Sequence, residues 1–311
     1  RVEEGGQIKV MLDAPAKVPA FAPISRRRRL TNGLATVLVT LSVGIAVLPL
    51  VWVLYSVVSR GFRTLSDSTW WTNSQAGLTA FAAGGGAFLG VVGSVLQGLV
   101  CALISIPIGV LVGIYLVEYG GGSRLGKLTT FMVDILTGVP SIVAALFIYA
   151  LWVATLGFGR SGFAVSLALV LLMIPVIVRS TEEMLRIVPM DLREASYALG
   201  VPKWKTILRI VIPTALSGIV TGILLALARV MGETAPLLIL VGYSQAMNFH
   251  MFDGFMGSLP GMMYDQTSAG AGINPVPTER LWGAALTLIV LIAVLNIGAR
   301  LLAKVFSPKK V

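Results

Sequence analysis

Six stretches of this 311-residue chain are long and apolar enough to cross a lipid bilayer, near residues 34–58, 88–117, 131–156, 163–185, 209–240 and 281–306. A span needs about 20 mostly apolar residues in helical form. Lipid offers no partner to backbone N–H and C=O groups, so such runs close their hydrogen bonds internally, as helices. The expected fold is all-α, a polytopic membrane protein of about six transmembrane helices. Charged residues are only 12% of the chain, against roughly 25% in a soluble domain. That scarcity excludes a water-soluble enzyme.

The placement of charge sets the topology. The net charge is +10. Arg26, Arg27, Arg28 and Arg29 precede the first run, and Lys304, Lys309 and Lys310 sit at or beyond the last. With the N-terminus inside, the inner segments also hold Arg124, Lys127 and the basic block 186–209, leaving Arg60, Arg63, Arg160 and Arg280 outside. Basic residues gather on the cytoplasmic side of membrane proteins, so both termini are expected in the cytoplasm. Residues 1–30 read as a cytoplasmic arm, 31–306 as the membrane domain and 307–311 as a cytoplasmic tail. The chain opens on Arg1, as a trimmed or renumbered start would. The first run is too long, and too weakly bounded by small residues, for a removable signal peptide. No soluble basic face exists for nucleic acid. The single cysteine, Cys101, lies in an apolar run and supports neither a disulfide framework nor a metal cluster.

Proline and glycine recur within the runs, and the spacings Gly109/Gly113 and Gly218/Gly222 permit close helix approach. The segment Gly121-Gly-Ser-Arg-Leu-Gly-Lys-Leu128 nearly spells a phosphate-binding loop. Leu128 stands where a hydroxyl would hold magnesium, and no strand leads in. A basic turn between membrane helices is the better reading, so the chain takes energy from a partner or an ion gradient.

Few charges lie within the spans. Arg229 falls near the middle of the fifth, with Glu233 four residues on and thus on the same helical face. Two readings stand: a self-neutralising pair that supports packing, or a cation on a translocation path, with Glu233 orienting it. Arg179 lies toward the cytoplasmic end of the fourth span, within snorkelling reach of the interface. Glu182 and Glu183 read as the solvated end of that helix, and Asp134 as a cap or anchor of the third. His250 lacks the partners of a metal site. Met247, Met251, Met256, Met262 and Met263 offer an adaptable apolar surface around it, for loop packing or for covering the outer mouth.

The connection Pro189–Pro213 between the fourth and fifth runs reads as helix, sharp turn, helix. Asp191 can cap the first helix with Glu194 completing a capping box. Gly200 can end it in a left-handed conformation, and Pro202 suits the first turn of the next. Two short amphipathic helices with exposed Tyr197 and Trp204 make a protein-docking knuckle, or a connector with no partner.

This segment resembles the Glu-Ala-Ala-x3-Gly-x9-Ile-x-Leu-Pro signature of permeases in binding-protein-dependent ABC importers. Glu194, Ala195, Gly200, Ile210 and Pro213 match in register, while Ser196 replaces the second alanine and Ile212 the leucine. From about residue 85 onward the chain further resembles the permeases of the high-affinity phosphate importer. The resemblance is carried by Gly138–Val143, Ile174–Glu183, Ala228–Leu237 and Glu279–Ala285, and the Gly-Glu-Thr-Ala-Pro-Leu stretch points to the A-type subunit.

The resemblance implies a type I ABC importer permease, a transporter subunit with no catalytic residue and no cofactor of its own. The knuckle residues Glu194, Ala195, Ser196, Gly200, Ile210 and Pro213 would couple to one of two ATPase subunits, which bind ATP and magnesium. A homologous C-type permease and an extracytoplasmic phosphate-binding protein would complete the assembly. Arg229, Glu233 and Arg179 would line the path of phosphate. Sulfate, molybdate or phosphonate are the competing cargoes. An ion-gradient-driven transporter and a membrane enzyme acting on lipid phosphates are the readings from other classes.

Overall fold

The computed structural model describes residues 25–245 and 248–306; most of the expected arm, the tail 307–311 and Met247 lie outside the described residues. Among the described residues the regular structure is helical, apart from an isolated bridge between Ala271 and Asn274, with turns and loops between the helices. Five helices are long and apolar enough to cross a membrane, and a bent pair makes a sixth. The expected fold class is thus the observed one.

The chain divides into two units, residues 1–54 and 55–311. In the first, the described part of helix α1 (Arg26–Ser66) is exposed at every position, as a lipid-facing helix is. Its Thr31, Thr36 and Ser42 hydroxyls donate to carbonyls four residues back, which satisfies them without water.

The second unit is built around α6 (Gly162–Ile187), whose apolar stretch is 61% buried, against 33% or less in the other four unbroken spans. Helix α3 (Phe88–Ile114) lies on one side of it and α9 (Ile212–Met231) on another. The expected small-residue approaches are real. Gly109 faces Ile177 and Gly113 faces Thr181, so α3 runs parallel to α6. Gly218 faces Met184 and Gly222 faces Ser180, so α9 runs antiparallel to it. A Cβ at Gly222 would overlap the Ser180 side chain. Cys101 is fully buried here, its thiol 3.5 Å from the Met173 sulfur.

Two spans depart from expectation. The third does not run straight from 131 to 156: α4 (Arg124–Thr137) and α5 (Ser141–Ile148), the latter continued by a π-helical turn at Tyr149–Thr155, meet at 107°. Gly138 ends α4, and Pro140 both lacks an N–H and excludes Val139 from helical geometry. The fifth span begins at Lys203 and stops at Met231, capped by Gly232, and α10 (Ala235–Leu240) follows as a separate element. The sixth, α12 (Pro275–Phe306), starts earlier than expected.

On the face opposite the knuckle, α2 (Ser68–Thr72) and α11 (Leu259–Ser268) pack against α12, around Trp70 and the fully buried Leu259 and Met262. The indole N–H of Trp70 donates to Thr287 Oγ1 at 2.9 Å. Asp67 caps α2 by accepting the Thr69 amide, which holds its carboxyl below the usual range. Burial pushes the Tyr243 hydroxyl well above the ordinary phenol range. Arg280, 4% exposed, donates to the carbonyls of Gly84, Ala82 and Ala80 and so pins the glycine-rich loop before α3.

Candidate functional site

The knuckle after α6 consists of α7 (Met190–Ala198) and the single turn α8 (Lys203–Thr206). Pro189, not Asp191, holds the N-cap position of α7, so the expected capping box does not form; Asp191 and Glu194 lie inside the helix. The C-terminal expectation holds. Gly200 has φ +74°, its N–H bonds to the Tyr197 carbonyl at 2.9 Å, and the Val201 N–H reaches the Ser196 carbonyl at 3.2 Å. This paired closure requires a left-handed residue, which glycine adopts without steric cost. Pro202 caps α8 from outside instead of entering its first turn.

The second helix of the knuckle is not a separate short element. From Lys203 it passes through a π-helical turn, Ile207–Val211, directly into α9. Ile210 sits in that turn, with its carbonyl accepting from Thr214 Oγ1 at 2.6 Å, and Pro213 lies in the first turn of α9. The knuckle is therefore continuous with two spans, α6 and α9.

Glu194 and Ala195 are exposed, as are Tyr197 (40%), Leu199 (83%) and Trp204 (54%). Exposed apolar and aromatic groups clustered at a helix turn form a surface suited to burial against a protein. Ser196 is buried, and its hydroxyl meets Thr206 Oγ1 at 2.8 Å, which ties the two arms of the knuckle together. Serine in place of the second alanine of the signature it resembles thus supplies a structural tie as well as a change in size.

Sequence reasoning missed what anchors the knuckle. Arg193, 9% exposed, donates to Glu118 at 3.0 Å and to the carbonyls of Leu185 (2.9 Å) and Val188 (3.3 Å). Glu118 lies in a π-helical turn, Tyr115–Tyr119, that ends α3. Lys203 donates to the Glu118 carbonyl and lies 4.9 Å from the centre of the Tyr119 ring. The partners are 75 residues apart in sequence, so no local spacing announces them.

The membrane arginines fall at two levels. Arg179 pairs with Asp134 of α4 and with Glu182, at 2.7 Å, and Glu182 also accepts from Arg186 at 2.6 Å. Glu182 is buried, 6% exposed, which corrects its reading as a solvated helix end; Glu183 is exposed as expected. Asp134 sits near the end of α4 and anchors it across to α6.

Arg229 lies in the last turn of α9, not mid-span, and is exposed. Glu233 follows the Gly232 cap, beyond the helix, and among the described residues no ion pair joins the two. Glu233 turns instead toward a narrow cleft that Ser94 and Gln97 of α3 also line. The Gln97 side-chain nitrogen there is buried without a partner. Taking Ser180 opposite Gly222 as the reference level, Arg229 and Arg179 are offset by about 9 Å along the helices, from a 1.5 Å rise per residue.

The remaining candidates have structural roles. In the glycine-rich turn the Gly126 amide is taken by Ser123 Oγ at 2.9 Å, and Lys127 and Leu128 lie within α4. Met256 and Met262 are buried, and Met256 packs at Gly162, so these methionines serve loop packing. His250 is exposed. Among the described residues no group of three or more His, Cys, Asp or Glu side chains comes together.

A family model described as binding-protein-dependent transport system inner membrane component matches residues 105–311. The phosphate transport system permease protein PstA of Mycobacterium leprae (strain TN) is 55% identical over 288 residues, 92% of this chain and 93% of that protein. PstA 1 of Mycobacterium tuberculosis (strain ATCC 25618 / H37Rv) is 51% identical over 301 residues, 96% of each. PstA of Pasteurella multocida (strain Pm70) is 38% identical over 285 residues, 91% of this chain and 96% of that protein. Among solved structures, the inward-facing MetNI methionine ABC transporter superposes with a TM-score of 0.54 at 18% identity, over 70% of this chain and 93% of that one. A bacterial ABC transporter involved in alginate import gives 0.59 at 12%, over 90% and 100%. These structures share the fold of a type I ABC importer permease. The matched region contains the whole knuckle, and the chain belongs to the binding-protein-dependent transport system inner membrane component family.

Proposed function

We propose that this chain is the A-type permease of a phosphate ABC importer, a multi-pass membrane subunit that carries inorganic phosphate inward on energy from separate ATPases. The observation that carries the reading is the exposed knuckle Met190–Thr206, its turn closed by Gly200 and its Glu194 and Ala195 free to meet a partner. Relatives that align over more than nine-tenths of the chain are named phosphate transport permeases.

ATP and magnesium stay with the ATPase subunits, and the knuckle receives their movement as a change between inward- and outward-facing states. Both termini lie in the cytoplasm, on the side that holds the basic block 186–209. Arg229 indicates where the substrate passes. An arginine facing lipid costs about 2.5–3.5 kcal/mol at a helix centre and less toward a helix end, where its side chain can reach the interface; Arg229, in the last turn of α9, is exposed, and among the described residues no ion pair reaches it. Its face is therefore covered in the assembly by protein or water, which fits a homologous C-type permease closing a shared path. A guanidinium fork can hold two oxygens of a phosphate. Glu233 and Arg179 border the same route at their own levels, and an extracytoplasmic phosphate-binding protein delivers the ion.

The test is reconstitution in liposomes with both permeases, the ATPase subunits and phosphate-loaded binding protein. ATP-dependent phosphate uptake that requires every component is expected. Uptake by this chain alone, driven by an ion gradient, would overturn the proposal.

A further inference from the structure

We infer that Arg193 and Lys203 grip the end of α3 at Glu118, so that the knuckle, α3 and α6 move as one body when the ATPase moves. This rests on the coupling role proposed above for the knuckle, and it assigns to Arg193, Lys203 and Glu118 the part of positioning residues.

The chain connects the knuckle covalently to α6 and α9 only. Helix α3 has no such connection; it packs along α6 and against the apolar cluster of Leu185, Val188 and Val211, and the grip adds a direct tie from its end to the knuckle. The Arg193 guanidinium and the Glu118 carboxylate meet at 3.0 Å, with side chains only 11% and 6% exposed. Arg193 simultaneously donates to the carbonyls of Leu185 and Val188 at the end of α6. One side chain on α7 thus holds the ends of two spans that run parallel and interlock through Gly109/Ile177 and Gly113/Thr181. From α8, Lys203 holds the same point by donating to the Glu118 carbonyl and covering the Tyr119 ring.

A packing role alone does not call for ions at this place. Buried ion pairs are often replaceable by apolar side chains without loss of stability, whereas removing one partner strands the other. A charge-assisted pair fixes the bearing of α7 on the end of α3, whereas hydrophobic burial is non-directional. The elements it joins lead to the cleft that Gln97 of α3, Leu169 of α6 and Glu233 all line. A knuckle displacement would in this way reach the level of Arg229 through α3.

The experiment uses the complete importer in liposomes, with Glu118→Gln, Arg193→Met and Arg193→Lys compared for phosphate imported per ATP hydrolysed. Glu118→Gln and Arg193→Met are expected to co-purify with the ATPase subunits and to hydrolyse ATP, with import per ATP lowered about tenfold, in the range of coupling energies between sites. Arg193→Lys, which keeps the charge, should recover most of it. Spin labels at Gly121, where a side chain meets open space, and at Leu192, 42% exposed, supply a second readout on the full chain, with Cys101 replaced by alanine. Their separation should be the same in nucleotide-free and ATP-trapped complexes and should split into two populations in Glu118→Gln. A separation that changes between the two states of the otherwise native complex would overturn the grip, even if the variants fail to assemble. Unchanged import per ATP in Glu118→Gln would do the same. If the native assembly imports no phosphate, the proposed function fails while the label distance still decides the grip.

Discussion

Arg229 and Glu233 are four residues apart yet are not partners: the helix that carries Arg229 is capped at Gly232, and Glu233 turns away toward the cleft beside Gln97. Among the described residues no carboxylate pairs with Arg229, and under the proposed function its guanidinium is open to an anion. Arg229→Ala should lower phosphate uptake by at least about tenfold, and Arg229→Lys should retain an intermediate rate, since a lysine supplies charge without the two-pronged geometry. Glu233→Gln should cost much less than Arg229→Ala, because no ion pair is lost. Initial-rate uptake of radiolabelled phosphate at equal membrane expression checks all three.

Helix α9 approaches α6 so closely that a Cβ at Gly222 would overlap Ser180. Gly222→Ala should destabilise the folded permease by about 1–3 kcal/mol, the usual cost of overpacking. Ser180→Gly in the same chain should recover most of that loss by vacating the space. Thermal unfolding in detergent, followed across the four members of the mutant cycle, measures the coupling.

Much of this architecture was legible in the residues, and the exceptions have physical causes. Apolar runs report burial in lipid whatever the helix axis does, so hydropathy read straight through the 107° bend at 138–140. Gly138 and Pro140 carried the local signal for it. Gly200 was readable because a left-handed turn leaves few choices of residue. Glu182 was misread as solvated although Arg179 and Arg186 stand at the i−3 and i+4 spacings that enclose it. The Arg193–Glu118 tie and the Arg280 clamp join segments 75 and about 200 residues apart, which only the fold brings together.

Ser196 joins the arms of the knuckle through Thr206. Ser196→Ala should cost about 1 kcal/mol, the net worth of a neutral hydrogen bond, and should raise amide exchange over 200–206. Adding Thr206→Val should return part of the stability, since the Thr206 hydroxyl would otherwise keep only its long 3.5 Å bond to the Pro202 carbonyl. Hydrogen exchange followed by mass spectrometry on the single and double variants distinguishes these outcomes.

Arg280 holds the loop 80–84 by charge-assisted bonds to three carbonyls. Arg280→Ala should destabilise this face by roughly 2–3 kcal/mol, the scale for losing hydrogen bonds to a charged group. The loop before α3 should become the first site of proteolytic nicking, while the knuckle remains protected. Limited proteolysis from the side of Arg63 and Arg280 reads this directly.

The central claim is that the knuckle transmits work from an ATP-hydrolysing partner, and site-directed cross-linking from Leu199, 83% exposed at its turn, tests it most directly. In an importer actively taking up phosphate, a cysteine at Leu199 in a chain with Cys101 replaced should cross-link to the ATPase subunit, with a yield that changes on ATP trapping. An importer that carries phosphate at full rate with no cross-link from Leu199 in any nucleotide state would contradict the account.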